Sequence, residues 1–399
     1  MMEAVMNQYH YYLDLSVRLA KARNKNYLAE FLTEQRNVLD RCFGGEDYVL
    51  ATYYIPNELF VPFDLPVIYS DRIAGFGAAC NLLKEEEWKK SDQYTSRCSY
   101  QIYLNSMLKK KILPLPKLIV ASNYPCNSAY QFCKELSETY QIPFLDLKVK
   151  RQESTEAYQD HVKQMEQIFQ YLKDHFSVKK SIQSVVNISN QMILIKKEID
   201  DIRNQYLGII DTQDMLNIFT LYNDFGKESS VEALQMLRDD LHSKTENYSW
   251  KPGVKKLMWL GTTPLCMSLI DKIEEQYACK FVCEDLFLFC AKEIHFDTFC
   301  QDLVKRIMDS IFFTEEKRVF KTMEIAKRYQ VDGIVHYSQR ICKFLPPMFP
   351  KIQKAFSDIR IPAIELCGDG IERASWDKNY KEQIETMMRI LCEDKKIEC

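Results

Sequence analysis

Long apolar runs are missing from this chain. No stretch approaches the roughly 20 apolar residues that a membrane span needs. The N-terminus, MMEAVMNQYHYYLDLSVRLAKARNK, mixes charges and tyrosines through its apolar positions, unlike the continuous core of a signal peptide. A charge of one sign is missing too: 53 basic against 56 acidic side chains leave a net charge of -3, so no global field draws in nucleic acid or anionic lipid. The expected setting is cytoplasmic, with neither nucleic acid nor membrane as partner. Paired cysteines are also absent. The 14 cysteines are scattered, with no CxxC and none of the dense spacing of a secreted disulfide scaffold, which argues against disulfides, ribbon zinc sites and ferredoxin-type runs. Any metal site must therefore collect cysteines from distant parts of the chain. No GxxxxGK[ST] run is present, so the chain brings no P-loop of its own.

What is there is the profile of a soluble globular protein. Apolar residues make up 46% and charged residues 27% of 399, enough chain for two or three domains. Residues 1–45 carry apolar positions at helical spacing (Tyr12, Leu15, Leu19, then Leu28, Phe31, Leu32) and predict an N-terminal helical segment. From 46 to 150, short apolar runs (YVLATYYI, LPVIYS, KLIVAS, IPFLDLKV) alternate with helical stretches, the pattern of βαβ units in a first α/β domain with a parallel sheet. Residues 151–250 lose the strand signal; QDHVKQMEQIFQYLKDHF and its successors have apolar positions three and four apart, as in a helical insert. Pro252 and Gly253 end it. A second α/β domain, 251–399, follows with KLMWLGTTP, KFVCEDLFLF, GIVHYS and IPAIEL as strands. The predicted fold is therefore α/β, with two Rossmann- or flavodoxin-like parallel-sheet domains.

One correspondence links the two domains. LIVAS runs through NYPCNS into a helix and then IPFLDL; GIVHYS runs through QRICKFLPP into a helix and then IPAIEL. Cys126 and Cys342 hold the same position in equivalent units, where a strand hands over to a helix. Ligands of open α/β sheets bind at such strand ends, and helix N-termini there favour the thiolate. Each cysteine has also the reading of an inert buried thiol. For function, three chemistries stand open. A nucleophile needs a nearby base, and of the six histidines only His336, within GIVHYS, lies near a candidate. Zinc usually draws on paired motifs. An iron–sulfur cluster accepts dispersed thiolates. Cys133 reads as core, and Cys279, Cys283 and Cys290 do not share a helical face because KFVCEDLFLF reads partly as a strand.

Five segments in order resemble the 2-hydroxyacyl-CoA dehydratase family, in the D-component group that includes benzoyl-CoA reductase subunits and double-cubane cluster proteins. They are YYIPNELFVPFDLPV, RCSYQ, SNYPCNSAYQF, YQVDGIVHYSQRICKF and IELCGDGIERASWDKNYKEQIETMMRIL. The resemblance covers about 45 to 399. It implies a [4Fe-4S] cluster on Cys98, Cys126 and Cys342. It also implies elimination of water from a 2-hydroxyacyl-CoA through a ketyl radical, after one electron arrives from a separate ATP-hydrolysing iron–sulfur activator. The implied partner is a homologous second subunit in a heterodimer, or a second copy in a homodimer. Glu58 matches an acidic position of the opening motif and is implied to lie near the substrate. Its other reading is a solvated carboxylate at a helix start. Ser99, beside Cys98, is implied to donate a hydrogen bond to cluster or substrate. Cys126-Asn127 stands where the family has Cys-Asp, and EQIETMM stands where many relatives carry Thr-Arg, which leaves the substrate open. Two other outcomes remain: a benzoyl-CoA-reductase-like or double-cubane ATP-dependent reductase of small molecules, and a non-catalytic assembly subunit.

Overall fold

The computed structural model describes residues 2–89, 97–218, 224–262, 268–285, 292–372 and 380–393. Cys266, Cys290 and Cys399 fall outside them, and with Cys290 the last third of the cysteine series from 279. Contacts divide the chain into two compact units: residues 1–198, 220–239 and 290–313 form the first, and residues 199–219, 240–289 and 314–399 the second.

The first unit opens with two helices, α1 (Met2–Ala22) and α2 (Asn26–Phe43). Asn24 turns the chain between them at φ +58, a left-handed conformation that asparagine tolerates well. On α2, Tyr27, Phe31, Gln35, Val38, Leu39 and Cys42 are buried, the single face that helical spacing predicts. Then come β1 (Val49–Ala51), two 3-10 turns (Asn57–Leu59 and Val61–Phe63), β2 (Val67–Tyr69), α3 (Ser70–Ala79), α4 (Glu85–Trp88), α5 (Ser99–Lys109), β3 (Leu118–Ser122), α6 (Asn127–Tyr140) and β4 (Phe144–Leu147). The four strands pair in parallel in the order β2-β1-β3-β4. Inner strands β1 and β3 are buried throughout, which explains why VLA and LIVAS read as continuous apolar runs rather than alternating ones. The predicted strand YVLATYYI is longer than the observed one. Only Val49–Ala51 pairs on both sides; the chain then leaves the sheet, and Tyr54 reaches φ +71.

Helices α7 (Thr155–His175), α8 (Ile182–Gln205), α9 (Thr212–Ile218) and α10 (Glu228–Thr245) follow, the helical stretch that lost the strand signal. The second sheet is built from β5 (Lys255–Gly261), β6 (Cys279–Glu284), β7 (Gly333–Gln339) and β8 (Ala363–Gly368), parallel in the order β6-β5-β7-β8. Its helices are α11 (Ser268–Gln276), α13 (Glu315–Arg328), α14 (Leu345–Ser357) and α15 (Tyr380–Glu393); α12 (Phe299–Met308) belongs to the first unit. Both sheets thus share one topology, the second strand outermost and then the first, third and fourth, so the fold is α/β with two parallel-sheet domains. Cys279 and Cys283 lie on the strand β6, as the mixed pattern of KFVCEDLFLF suggested. No helix among the described residues is long and apolar enough to cross a membrane.

Candidate functional site

In a sheet ordered 2-1-3-4, connections leave the first and third strands in opposite directions, and a crevice opens at their carboxyl ends. In the first unit those strands are β1 and β3. Thr52 pins their ends together: its N–H donates to Val120 O at 3.2 Å, and its hydroxyl accepts from Ser122 N–H at 2.8 Å. Beyond the pin, β1 continues into Tyr53 and Tyr54 and β3 into Tyr124. These rings stack edge to face, Tyr53 on Tyr54 at 5.1 Å and Tyr54 on Tyr124 at 5.3 Å, with Phe312 against Tyr54 and Phe313 against Tyr124. Arg151 closes over Tyr124, its guanidinium 5.6 Å from the ring centre, and donates to Pro125 O.

Cys126 follows directly, as the N-cap of α6. Its sulfur accepts the Ala129 N–H at 3.4 Å, a bond in the position where serine or aspartate oxygen ordinarily caps. Cys98 is the N-cap of α5. The first turns of these two helices are tied together where Ser128 donates to Gln101 at 3.1 Å, and Arg97, just before α5, grips Glu135 in the third turn of α6 with both nitrogens at 2.7 and 2.8 Å. Two cysteines distant in sequence are thereby brought to adjacent helix N-termini on the carboxyl side of one sheet. Ser99, the first residue of α5, is buried.

In the second unit the equivalent strands are β5 and β7. Gly261 ends β5 at φ +91, where a Cβ would come within 2.3 Å of the Tyr337 carbonyl oxygen; only glycine fits. Its N–H donates to the buried Asp285, which also pairs with the buried Arg318 at 2.8 Å. Burial raises the Asp285 carboxyl's pKa and Arg318 draws it back. Cys342 comes after β7, three residues before α14 begins. Its sulfur accepts two backbone N–H groups, from Phe344 and Leu345, each at 3.4 Å. Cys126 and Cys342 therefore share position and bonding: each follows a third strand, and each sulfur is held by amides at a helix N-terminus.

Exposure separates these cysteines from the others. Cys98, Cys126 and Cys342 are half-buried; Cys42, Cys80, Cys133, Cys279, Cys283 and Cys300 are buried, and Cys367 and Cys392 are exposed. Burial pushes the thiols of Cys42, Cys80, Cys279 and Cys300 up to about 12, which keeps them protonated and inert. No described cysteine is in a disulfide. Among the described residues no set of three or more His, Cys, Asp or Glu side chains stands together as a metal site. The pair Cys98 and Cys126 belongs to the first unit and Cys342 to the second.

Glu58 is not the solvated carboxylate at a helix start that one reading of IPNELF gave. It is 1% exposed, in a single 3-10 turn with no helix dipole to complement. Its Oε1 pairs with Arg306 of α12 and accepts the Ser189 hydroxyl of α8 at 2.7 Å. Arg306 also donates to the Lys292 carbonyl from two nitrogens and lies over the Phe225 ring. The carboxylate thus anchors the segment after β1 inside the first unit. Glu58 and Arg306 are 248 residues apart, beyond any periodicity. The Tyr53, Tyr54 and Tyr124 cluster carries no periodicity of its own either, although all three residues lie within the segments YYIPNELFVPFDLPV and SNYPCNSAYQF. The sequence family described as 2-hydroxyglutaryl-CoA dehydratase, D-component, matches residues 52–392. Among curated proteins, none matches the chain.

Proposed function

Because the chain belongs to the 2-hydroxyglutaryl-CoA dehydratase D-component family, we propose that it is an iron–sulfur subunit of a 2-hydroxyacyl-CoA dehydratase. The observation that carries this reading is the matched bonding of Cys126 and Cys342, each sulfur held by helix N-terminal amides at the end of a third strand. Amide donors complement the negative charge of a cluster-bound thiolate and tune its potential. With Cys98, they make a donor set of three thiols, none disulfide-bonded and none fully buried, which suits a [4Fe-4S] cluster. Such a cluster supplies, when bound, one-electron transfer and an iron with an open position for a substrate oxygen.

The chain's own groups have definable tasks beside it. The N-caps of α5 and α6 fix two ligands, and the Gln101–Ser128 and Arg97–Glu135 contacts hold those helices in register. Tyr53, Tyr54 and Tyr124 line the carboxyl ends of β1 and β3 with aromatic rings, excluding water from electron-transfer chemistry there. Ser99 stands beside Cys98 as a hydroxyl donor to cluster or substrate. Glu58 acts by holding its segment in position through Arg306. The electron comes from a separate ATP-hydrolysing activator, and a homologous subunit completes the enzyme.

Anaerobic purification followed by iron assay and EPR tests the reading. The expected content is about four irons per chain, with a cubane-type signal on reduction. Cys98→Ala, Cys126→Ala and Cys342→Ala should each lose it, and Cys133→Ala should keep it. Iron-free wild-type protein, with all three variants indistinguishable from it, would overturn the proposal in favour of an assembly subunit.

A further inference from the structure

Helices α7 and α12 of the first unit lie against each other and run in opposite directions. They are closed at one end, where Phe169 packs on Phe299 at 5.3 Å and Gln301 donates to Glu166 at 3.0 Å. At the other end they part. A cleft of about 300 Å³ opens there to solvent, with Glu153 and Tyr158 on the α7 wall and Lys305, Met308 and Asp309 on the α12 wall, a size in the range of small-molecule sites. Both walls run on into the aromatic end of the first sheet. Arg151, just before Glu153, covers Tyr124, and Phe312 and Phe313, just after Asp309, pack on Tyr54 and Tyr124.

The α12 wall is anchored from within. Arg306 points inward to Glu58, so its neighbour Lys305 turns outward and its side chain is 53% exposed. Lys305 Nζ lies 3.2 Å from Asp302, whose carboxylate is in turn fixed by the Thr298 hydroxyl at 2.6 Å and by His295 at 2.9 Å. Asp309 is paired with Lys292. Lys305 and Asp309 are four residues apart on one helix face, so this wall presents a hydrogen-bond donor and an acceptor side by side. Between them in sequence, Met308 offers a polarizable thioether, and Tyr158 on the facing wall offers an aromatic ring.

A flat ring with a donor beside an acceptor on one edge fits that lining. Adenine is such a ring, because its exocyclic amino group donates next to a ring nitrogen that accepts. Hypoxanthine carries a carbonyl oxygen in place of the amino group and sets acceptor against acceptor at Asp309. The geometry points to an adenine subsite in the cleft between α7 and α12. The base lies between Tyr158 and Met308, its amino group donates to Asp309, its ring nitrogen accepts from Lys305, and Glu153 accepts from a sugar hydroxyl. Two sources carry this base, a coenzyme A thioester and a free adenine nucleotide. Assignment to the thioester rests on the dehydratase reading; the adenine subsite itself does not.

Calorimetric titration of the full-length protein with AMP, IMP and coenzyme A tests the subsite. AMP should bind, and IMP should bind at least about 10-fold more weakly, since it leaves the Asp309 carboxylate facing an acceptor. Met308→Lys projects a charged chain into the cleft and should abolish AMP binding. Lys305→Met, at an exposed position that leaves the fold intact, should weaken AMP about 10-fold. If Met308→Lys fails to fold, Lys305→Met decides. Absent AMP binding, equal binding of AMP and IMP, or unchanged AMP affinity in either folded variant overturns the subsite. With the subsite upheld, coenzyme A binding more tightly than AMP assigns it to the thioester, and AMP binding as tightly or more tightly assigns it to a free nucleotide. Iron-free protein that still separates AMP from IMP keeps the subsite and loses the dehydratase reading. A cluster-bearing, dehydrating complex that binds no AMP does the reverse.

Discussion

Cys133 lies two turns along α6 from Cys126, and the two surroundings ask opposite things of a sulfur. Cys133 is wholly buried and its thiol is pushed far up by desolvation; Cys126 is half-buried and accepts an amide. Cys133→Ser buries a hydroxyl in an apolar site and should cost about 1–3 kcal/mol in urea unfolding, with iron content unaffected. Cys126→Ser places a good N-cap oxygen on α6 and should stay within about 1 kcal/mol of the wild type while losing iron. Asp71, in the first turn of α3, offers a second test at this scale. Burial raises its carboxyl to about 6. The folded chain therefore holds a proton there that the unfolded chain has already released, and the stability it contributes is lost as pH rises through 6. Asp71→Asn should gain about 1 kcal/mol on the wild type between pH 5 and pH 7, read as the difference in unfolding free energy at the two pH values. Cysteine positions were legible in the sequence because strand-end loops announce themselves. The shifted Asp71 carboxyl was not, because desolvation depends on what packs around a residue.

At the scale of elements, the approach of α3 to α5 sets where Cys98 stands. The sequence SDRIAGFGAA is visibly rich in small residues, but which of its glycines matters depends on the facing helix. At Gly77 a Cβ would meet the Tyr103 ring at 2.8 Å and Met107 Sδ at 3.0 Å, and Tyr103 is held by the bond its hydroxyl accepts from Leu83 N–H. At Gly75 the nearest atom is on Tyr100, at 3.5 Å. Gly77→Ala should therefore cost about 1–3 kcal/mol by overpacking. Gly75→Ala should be neutral or gain up to about 1 kcal/mol of helix propensity. Thermal unfolding of the pair distinguishes them, and equal effects would mean that the close approach of α3 to α5 is wrong. The same dependence on neighbours explains the shortened β1: YVLATYYI has strand composition throughout, but pairing partners exist for only three of its residues.

For the molecule as a whole, the first unit is assembled from three separate pieces of chain, and the Glu58–Arg306 pair ties the last piece to the first. Arg306→Leu leaves a buried carboxylate uncompensated and should cost about 3–5 kcal/mol, and the double substitution with Glu58→Leu should recover most of that. Urea unfolding checks both; a double variant no more stable than the single would show that packing around Phe225, not charge, is what Arg306 supplies. The sequence by itself determined the α/β class, the two sheets, the helical stretch between them and the equivalence of Cys126 with Cys342. These rest on local periodicity and on strand-to-helix order, which each segment carries alone. Only the tertiary structure decided that Glu58 is an internal anchor, that Ser128 and Gln101 bond the starts of α6 and α5, and that tyrosines wall the end of the first sheet. Those outcomes come from contacts between residues tens to hundreds of positions apart, whose energies no single segment contains.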